Sequence, residues 1–196
     1  MLKRQIEPKM VNFLDAKLAA NGLAQHATEI KDARLLFGLA AEACVGIRET
    51  GGNNKGPMVE LIQETIGRAE GEPWCCSFVQ TCLAYAELKT GIQSPIFETE
   101  HVQTMWGKSK LQRVKYSPLK YAIVCWAYED SSNGHTGILI ENNRESYMRT
   151  VEGNTNGEGS REGSGVFLKK RNWLRDGRLV KLGFLIPFPR ETNAKK

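Results

Sequence analysis

The apolar residues of this chain change their period once, near Tyr121, and that change limits which folds are open to it. Before it they recur at helical spacing; after it they fall into short runs of strand length separated by turn formers. Met10, Phe13, Leu14 and Leu18 predict a first helix, broken at Asn21-Gly22. Asp32 can cap a second helical run from about Ala33 to Arg48, with Leu35, Leu36, Leu39, Ala43 and Ile47 on one side. Further helical runs span Met58 to about Ile66 and start at Cys75. Strands are predicted over Ala122 to Ala127, His135 to Ile140, Tyr147 to Glu152, Gly165 to Lys170 and Leu179 to Phe188. Helices first and strands second predict an α+β domain, with helices packed on one face of a mostly antiparallel sheet.

The length, 196 residues, suits one domain with an extension. We divide it into a helical N-terminal extension, 1–32, a main domain, 33–188, and a basic tail, 189–196. The excess of 27 Lys+Arg over 22 Asp+Glu gives a net charge of +5, which suits an anionic polymer such as cell wall. The basic residues are scattered apart from Lys169-Lys170-Arg171, read as a solvated strand end, and the Lys195-Lys196 terminus. No nucleic-acid binder is expected. No run reaches the roughly twenty apolar residues of a membrane span, so stable membrane insertion is not expected either. Lys3 and Arg4 lead into Gln5-Ile6-Glu7-Pro8-Lys9 rather than an apolar signal core. Synthesis in the cytoplasm without a signal peptide is the expectation, and nothing points beyond a monomer.

Five cysteines, Cys44, Cys75, Cys76, Cys82 and Cys125, make an odd number without C-x-x-C spacing, so they read as reduced thiols rather than a disulfide framework or zinc ribbon. Cys75 stands out by position. In Pro73-Trp74-Cys75-Cys76-Ser77-Phe78-Val79 it opens a helix, where unpaired NH groups and the helix dipole favour thiolate over thiol. Cys75, Phe78, Val79, Cys82 and Ala86 share a stripe, and Cys76 is turned away by about 100°. Cys82 and Cys44 read as core thiols, and Cys76 as the competing nucleophile. The loop Glu49-Thr50-Gly51-Gly52-Asn53-Asn54-Lys55-Gly56-Pro57 is either plain connection or a cleft wall whose glycines admit a substrate chain.

A thiolate needs a base, and a base needs an orienting group. His135 begins a strand, Gly134-His135-Thr136-Gly137, and the next strand ends at Glu152-Gly153-Asn154. If Glu141 pairs with Ser146 around a four-residue turn, His135 faces Glu152, and Asn154 projects to the same face. His101 can begin a helix carrying Val102, Met105 and Trp106 inward, and His26 lies in the extension, so His135 is the expected base.

Together, Pro73-Trp74-Cys75-Cys76-Ser77-Phe78-Val79, Glu49-Thr50-Gly51-Gly52-Asn53-Asn54, Gly134-His135-Thr136-Gly137 and Val151-Glu152-Gly153-Asn154-Thr155-Asn156 resemble the CHAP domain, the cysteine, histidine-dependent amidohydrolase/peptidase family, over roughly residues 33–188. The resemblance implies a papain-like α+β fold and cleavage of an amide or peptide bond of peptidoglycan, with Cys75 as nucleophile, His135 as base, and Glu152 and Asn154 as its orienting pair. Trp74, Gly52, Asn53 and Asn54 are expected to bind substrate. Tyr121-Ala122 stands where the family usually has Gly-Asp, and the acidic calcium loop of some phage members is not seen, so neither a metal nor another cofactor is expected. A phage-type endolysin is the favoured reading. The alternatives are a secreted antibacterial effector, an NlpC-type wall peptidase, a transglutaminase using the same triad logic, or a non-catalytic wall-binding protein on the same scaffold.

Overall fold

The computed structural model describes residues 4–116, 118–129, 131–143, 146–156 and 163–189, with the backbone alone at Asn143. Its helices are α1 (Pro8–Leu18), α2 (Gly22–Glu29), α3 (Ala33–Ala43), α4 (Pro57–Glu64), α5 (Cys75–Thr90) and α6 (Val102–Lys108). Its strands are β1 (Arg113–Val114), β2 (Ile123–Tyr128), β3 (Gly134–Asn143), β4 (Tyr147–Thr155), β5 (Gly165–Asn172), β6 (Arg175–Asp176) and β7 (Leu179–Leu185). The expected α+β class is the observed one. The sheet runs β1-β7-β2-β3-β4-β5, β6 pairs with β7, and every described pairing is antiparallel.

The helices start and stop for local reasons. Asn21 accepts the Ala24 amide at 3.1 Å to cap α2, and Asp32 accepts the Leu35 amide at 3.0 Å to cap α3, as expected. α3 stops at Ala43, short of the expected Arg48. Gly46 takes a positive φ of 99°, and Arg48 then forms a bridge to Gly165 beside the β5 edge.

Alternation along the strands sorts two apolar layers. Ile123, Cys125, Ile138 and Val151 face the helices in the main core, with Phe37, Phe78, Val79 and Leu83. Val124, Trp126, Leu139 and Phe184 form a smaller cluster on the opposite face. α1 and α2 belong to the main core through Met10, Leu14, Leu18, Ala24 and Ala27, and Asp15 of α1 accepts the Tyr85 hydroxyl at 2.8 Å and pairs with Lys89 at 2.7 Å. The predicted single apolar stripe of α5 is replaced by burial all round: every residue from Cys75 to Glu87 is buried, because α5 lies between α3 and strands β3 and β4.

The β3–β4 register differs from the predicted hairpin. Asn143 lies opposite Tyr147 and Ile138 opposite Val151, with a bulge between Leu139 and Glu141. Asn142 and Asn143 are therefore strand residues rather than turn residues. Arg144 and Glu145, predicted within the turn, lie outside the described residues, as does the basic tail beyond Pro189.

Candidate active site

Cys75 sits at the head of α5, whose first turn has no side-chain cap. Its preceding residue is held by a two-sided acceptor: Glu49 Oε1 takes the Trp74 indole NH at 2.9 Å, and Glu49 Oε2 takes the Asn54 backbone NH at 2.9 Å. Trp74 is thus fully buried and absent from the cleft wall, which corrects its expected substrate-binding role. Its ring packs beside Gly153, where a Cβ would come within 2.8 Å of it and 2.6 Å of Phe78. The glycine of Glu-Gly-Asn lets β4 approach the start of α5.

The two adjacent thiols part company in the structure. Cys75 is 9% exposed and lines the cleft, whereas the other four cysteines are at most 1% exposed. The Cys76 thiol donates to the Thr99 carbonyl at 3.1 Å, and burial, followed by the neighbouring Cys75, pushes its pKa well up. Burial also pushes Cys125 up to about 12. A buried, protonated thiol that already donates to a carbonyl is a poor nucleophile.

His135 hydrogen-bonds to Cys75 and, through Nε2, to Glu152 Oε2 at 2.7 Å. A carboxylate only accepts, so Nε2 carries the proton and Nδ1 is left to face the sulfur. Glu152 was expected directly opposite His135. It reaches the imidazole diagonally instead, from the position across from Gly137, where a Cβ would lie 2.5 Å from Glu152 Cγ. The second glycine of Gly-His-Thr-Gly makes room for the carboxylate. His135 and Gly137 alternate with Thr136 and Ile138, so the base points away from the α5 layer, and Cys75 meets it at the rim of the sheet.

Glu152 is fully buried and saturated. Oε1 accepts Thr150 Oγ1 at 2.5 Å and Arg171 Nε at 2.9 Å; Oε2 accepts His135 and Arg171 Nη2, the latter at 2.5 Å. Burial alone would raise its pKa, but the hydrogen bonds and charges of Arg171 and His135 outweigh burial and hold it at about 2. Burial likewise disfavours the imidazolium, yet the hydrogen bonds to Cys75 and Glu152 and their charges carry His135 up to about 9. The Trp126 ring stacks on the imidazole at 5.9 Å and 22°.

The cleft has a volume of about 780 Å³. Cys75, His135, Asn53, Asn54 and Asn154 line it; Gly52 does not. Asn54 is also structural, held by the Glu49 carboxylate and donating to the Gly71 carbonyl at 3.2 Å. Asn154, expected to help orient His135, makes no hydrogen bond to it: a register shift between Glu152 and Thr155 puts Asn154 at φ 51°, and it borders the cleft instead. His101 caps α6 with Nδ1 accepting from the Thr104 amide at 3.3 Å. Lys169, Arg171 and Arg178 give one wall a basic character. Arg171 and Glu49 escaped the sequence reading. Strand alternation within Lys169-Lys170-Arg171, which turns the first and third to one face, was the available signal for Arg171.

A thiol at the head of a buried helix, facing a histidine–carboxylate pair on an antiparallel sheet, defines the papain-like class of fold. Residues 67–154 match the family model of the CHAP domain. No curated protein and no solved structure matches the chain.

Proposed function

We propose that this chain is an endolysin-like hydrolase that cuts an amide or peptide bond of bacterial peptidoglycan, with Cys75 as nucleophile and His135 as acid and base. The observation that carries the reading is the continuous contact from Cys75 through His135 to Glu152 at the floor of an open cleft. The proton shared by Cys75 and His135 rests on the imidazole as sulfur attacks the substrate carbonyl carbon. The carbonyl electron pair moves to oxygen, where uncapped NH groups at the head of α5 are suited to receive it. Collapse of the intermediate breaks the C–N bond, and His135 hands its proton to the leaving amine. Water, losing a proton to His135, then adds to the thioester, and the acid leaves as Cys75 regains its starting state.

The basic wall of Lys169 and Arg178 complements the carboxylates of peptidoglycan stem peptides. The Glu152 contact to Nε2 favours this reading over an NlpC-type site, whose third polar residue is commonly a histidine. In this reading the chain is made in the cytoplasm and released to the wall by a separate membrane-permeabilising protein.

Purified sacculi incubated with the wild type, Cys75→Ala and Cys76→Ala, followed by mass spectrometry of the released fragments, test it. Release by the wild type and Cys76→Ala but not Cys75→Ala is expected, and the new termini name the bond. Activity surviving in Cys75→Ala sinks the nucleophile. Sedimentation with sacculi but no release by any version favours the wall-binding reading.

A further inference from the structure

We infer that Arg171 is a positioning residue for the Cys75–His135 pair, acting through Glu152 and itself steered by the β6–β7 hairpin through Asp176. The inference rests on the reading of Cys75 and His135 as the reacting pair. A carboxylate offers about four acceptor sites, and all four on Glu152 are filled: one by Thr150, one by His135 and two by Arg171. The planar guanidinium fixes both oxygens at once, which a single lysine ammonium cannot do. With the carboxylate unable to rotate, the His135 Nε2–H has a single acceptor in a single direction, and Nδ1 is aimed at Cys75.

Arg171 is held in turn. Its Nη1 donates to Asp176 Oδ2 at 2.7 Å, and its guanidinium lies 5.9 Å from the same Trp126 ring that stacks on the imidazole. Asp176 belongs to β6, which pairs with Leu179 across the turn that carries Arg178, and Asp176, Arg178 and Leu179 all line the cleft. The hairpin that borders the substrate space is therefore wired to the base by two ion pairs in series. The charged or titratable groups around His135 are Cys75 from α5, Glu152 from β4, Arg171 from β5 and Asp176 from β6, with Glu100 and His101 across the cleft; β2 supplies the uncharged Trp126. Mere neutralisation of a buried acid is the competing role, and it makes a different prediction.

The test uses Arg171→Gln, Arg171→Lys and Asp176→Asn in the full chain. Turnover of soluble muropeptides is measured across pH, and the His135 ring is titrated by NMR in a Cys75→Ala background with and without each change. Positioning predicts that Arg171→Gln lowers kcat by about tenfold or more with KM held within about threefold. It also predicts that the His135 midpoint moves by about one pH unit or more once Glu152 is no longer held in one orientation. Arg171→Lys should recover part of both, and Asp176→Asn should shift both in the same direction by less. A folded Arg171→Gln protein with kcat and the His135 midpoint unchanged overturns the inference. If Arg171→Gln does not fold, unchanged midpoints in Arg171→Lys and Asp176→Asn overturn it equally. If no version, wild type included, cuts muropeptides, a shifted midpoint upholds the positioning role while the substrate reading fails.

Discussion

The two sides of the site are held by different forces. On the helical side, Cys75 is set by packing and by hydrogen bonds from neutral donors: a fully buried Trp74, a close approach at Gly153 and the Glu49 carboxylate that accepts from the indole. On the sheet side, His135 is set by a row of buried charges, Glu152, Arg171 and Asp176. Apolar packing degrades in proportion to what is removed, whereas a buried ion pair stripped of one partner leaves an uncompensated charge costing about 3–5 kcal/mol. The nucleophile should therefore tolerate change nearby better than the base does.

Glu152→Ala should break this asymmetry most. It leaves Arg171 and His135 without their shared acceptor, so urea unfolding should report a loss of about 3–5 kcal/mol and hydrolysis should fall to background. Retention of stability within about 1 kcal/mol would mean that the sheet side is not governed by charge. Gly137→Ala comes next: the added methyl overlaps Glu152 Cγ, so activity should drop by about tenfold or more while the protein stays folded by circular dichroism. Glu49→Ala, on the helical side, strands the Trp74 indole and should cost about 1–3 kcal/mol, with a smaller loss of activity than at Glu152.

The pH dependence separates the sides further. The Glu152 pKa is depressed, so its stabilisation is complete above about pH 4.5 and lost as pH falls towards 2; the His135 pKa is raised, so its stabilisation is complete below about 6.5 and lost as pH rises through 9. Thermal unfolding across pH should show a plateau between these windows, and Glu152→Gln should remove the acid limb. Smallest of all is Cys76→Ala, expected to leave turnover within about twofold and to cost about 1 kcal/mol for the lost thiol contacts.

What the sequence disclosed follows the same division. Cys75, His135 and Glu152 were legible because helix starts and strand starts announce themselves locally, and the family segment, 67–154, covers all three. The register of β3 and β4 was not, since the strands stay paired through Asn142 and Asn143, which were expected to turn, and the bulge after Leu139 then shifts the pairing by one more step. The predicted meeting of His135 with Glu152 came true by a diagonal path rather than the direct one. Trp74 was misread because an aromatic beside a nucleophile looks the same in sequence whether it faces the cleft or the core. Glu49 and Arg171 act across 25 and 19 positions, distances over which periodicity carries no information, and both lie outside the family segment.

The short bridge of Arg48 to Gly165 gives these scattered contacts a shape. Gly165 begins β5 and Arg171 stands near its other end. From the first, the chain of contacts runs through Glu49 and Trp74 to Cys75; from the second, through Glu152 to His135; and the two meet at the sulfur. The contacts close a loop with one strand as its frame, the nucleophile tied towards the start of β5 and the base towards its far end. Two ends of a single edge strand thus reach the two sides of the site by separate paths.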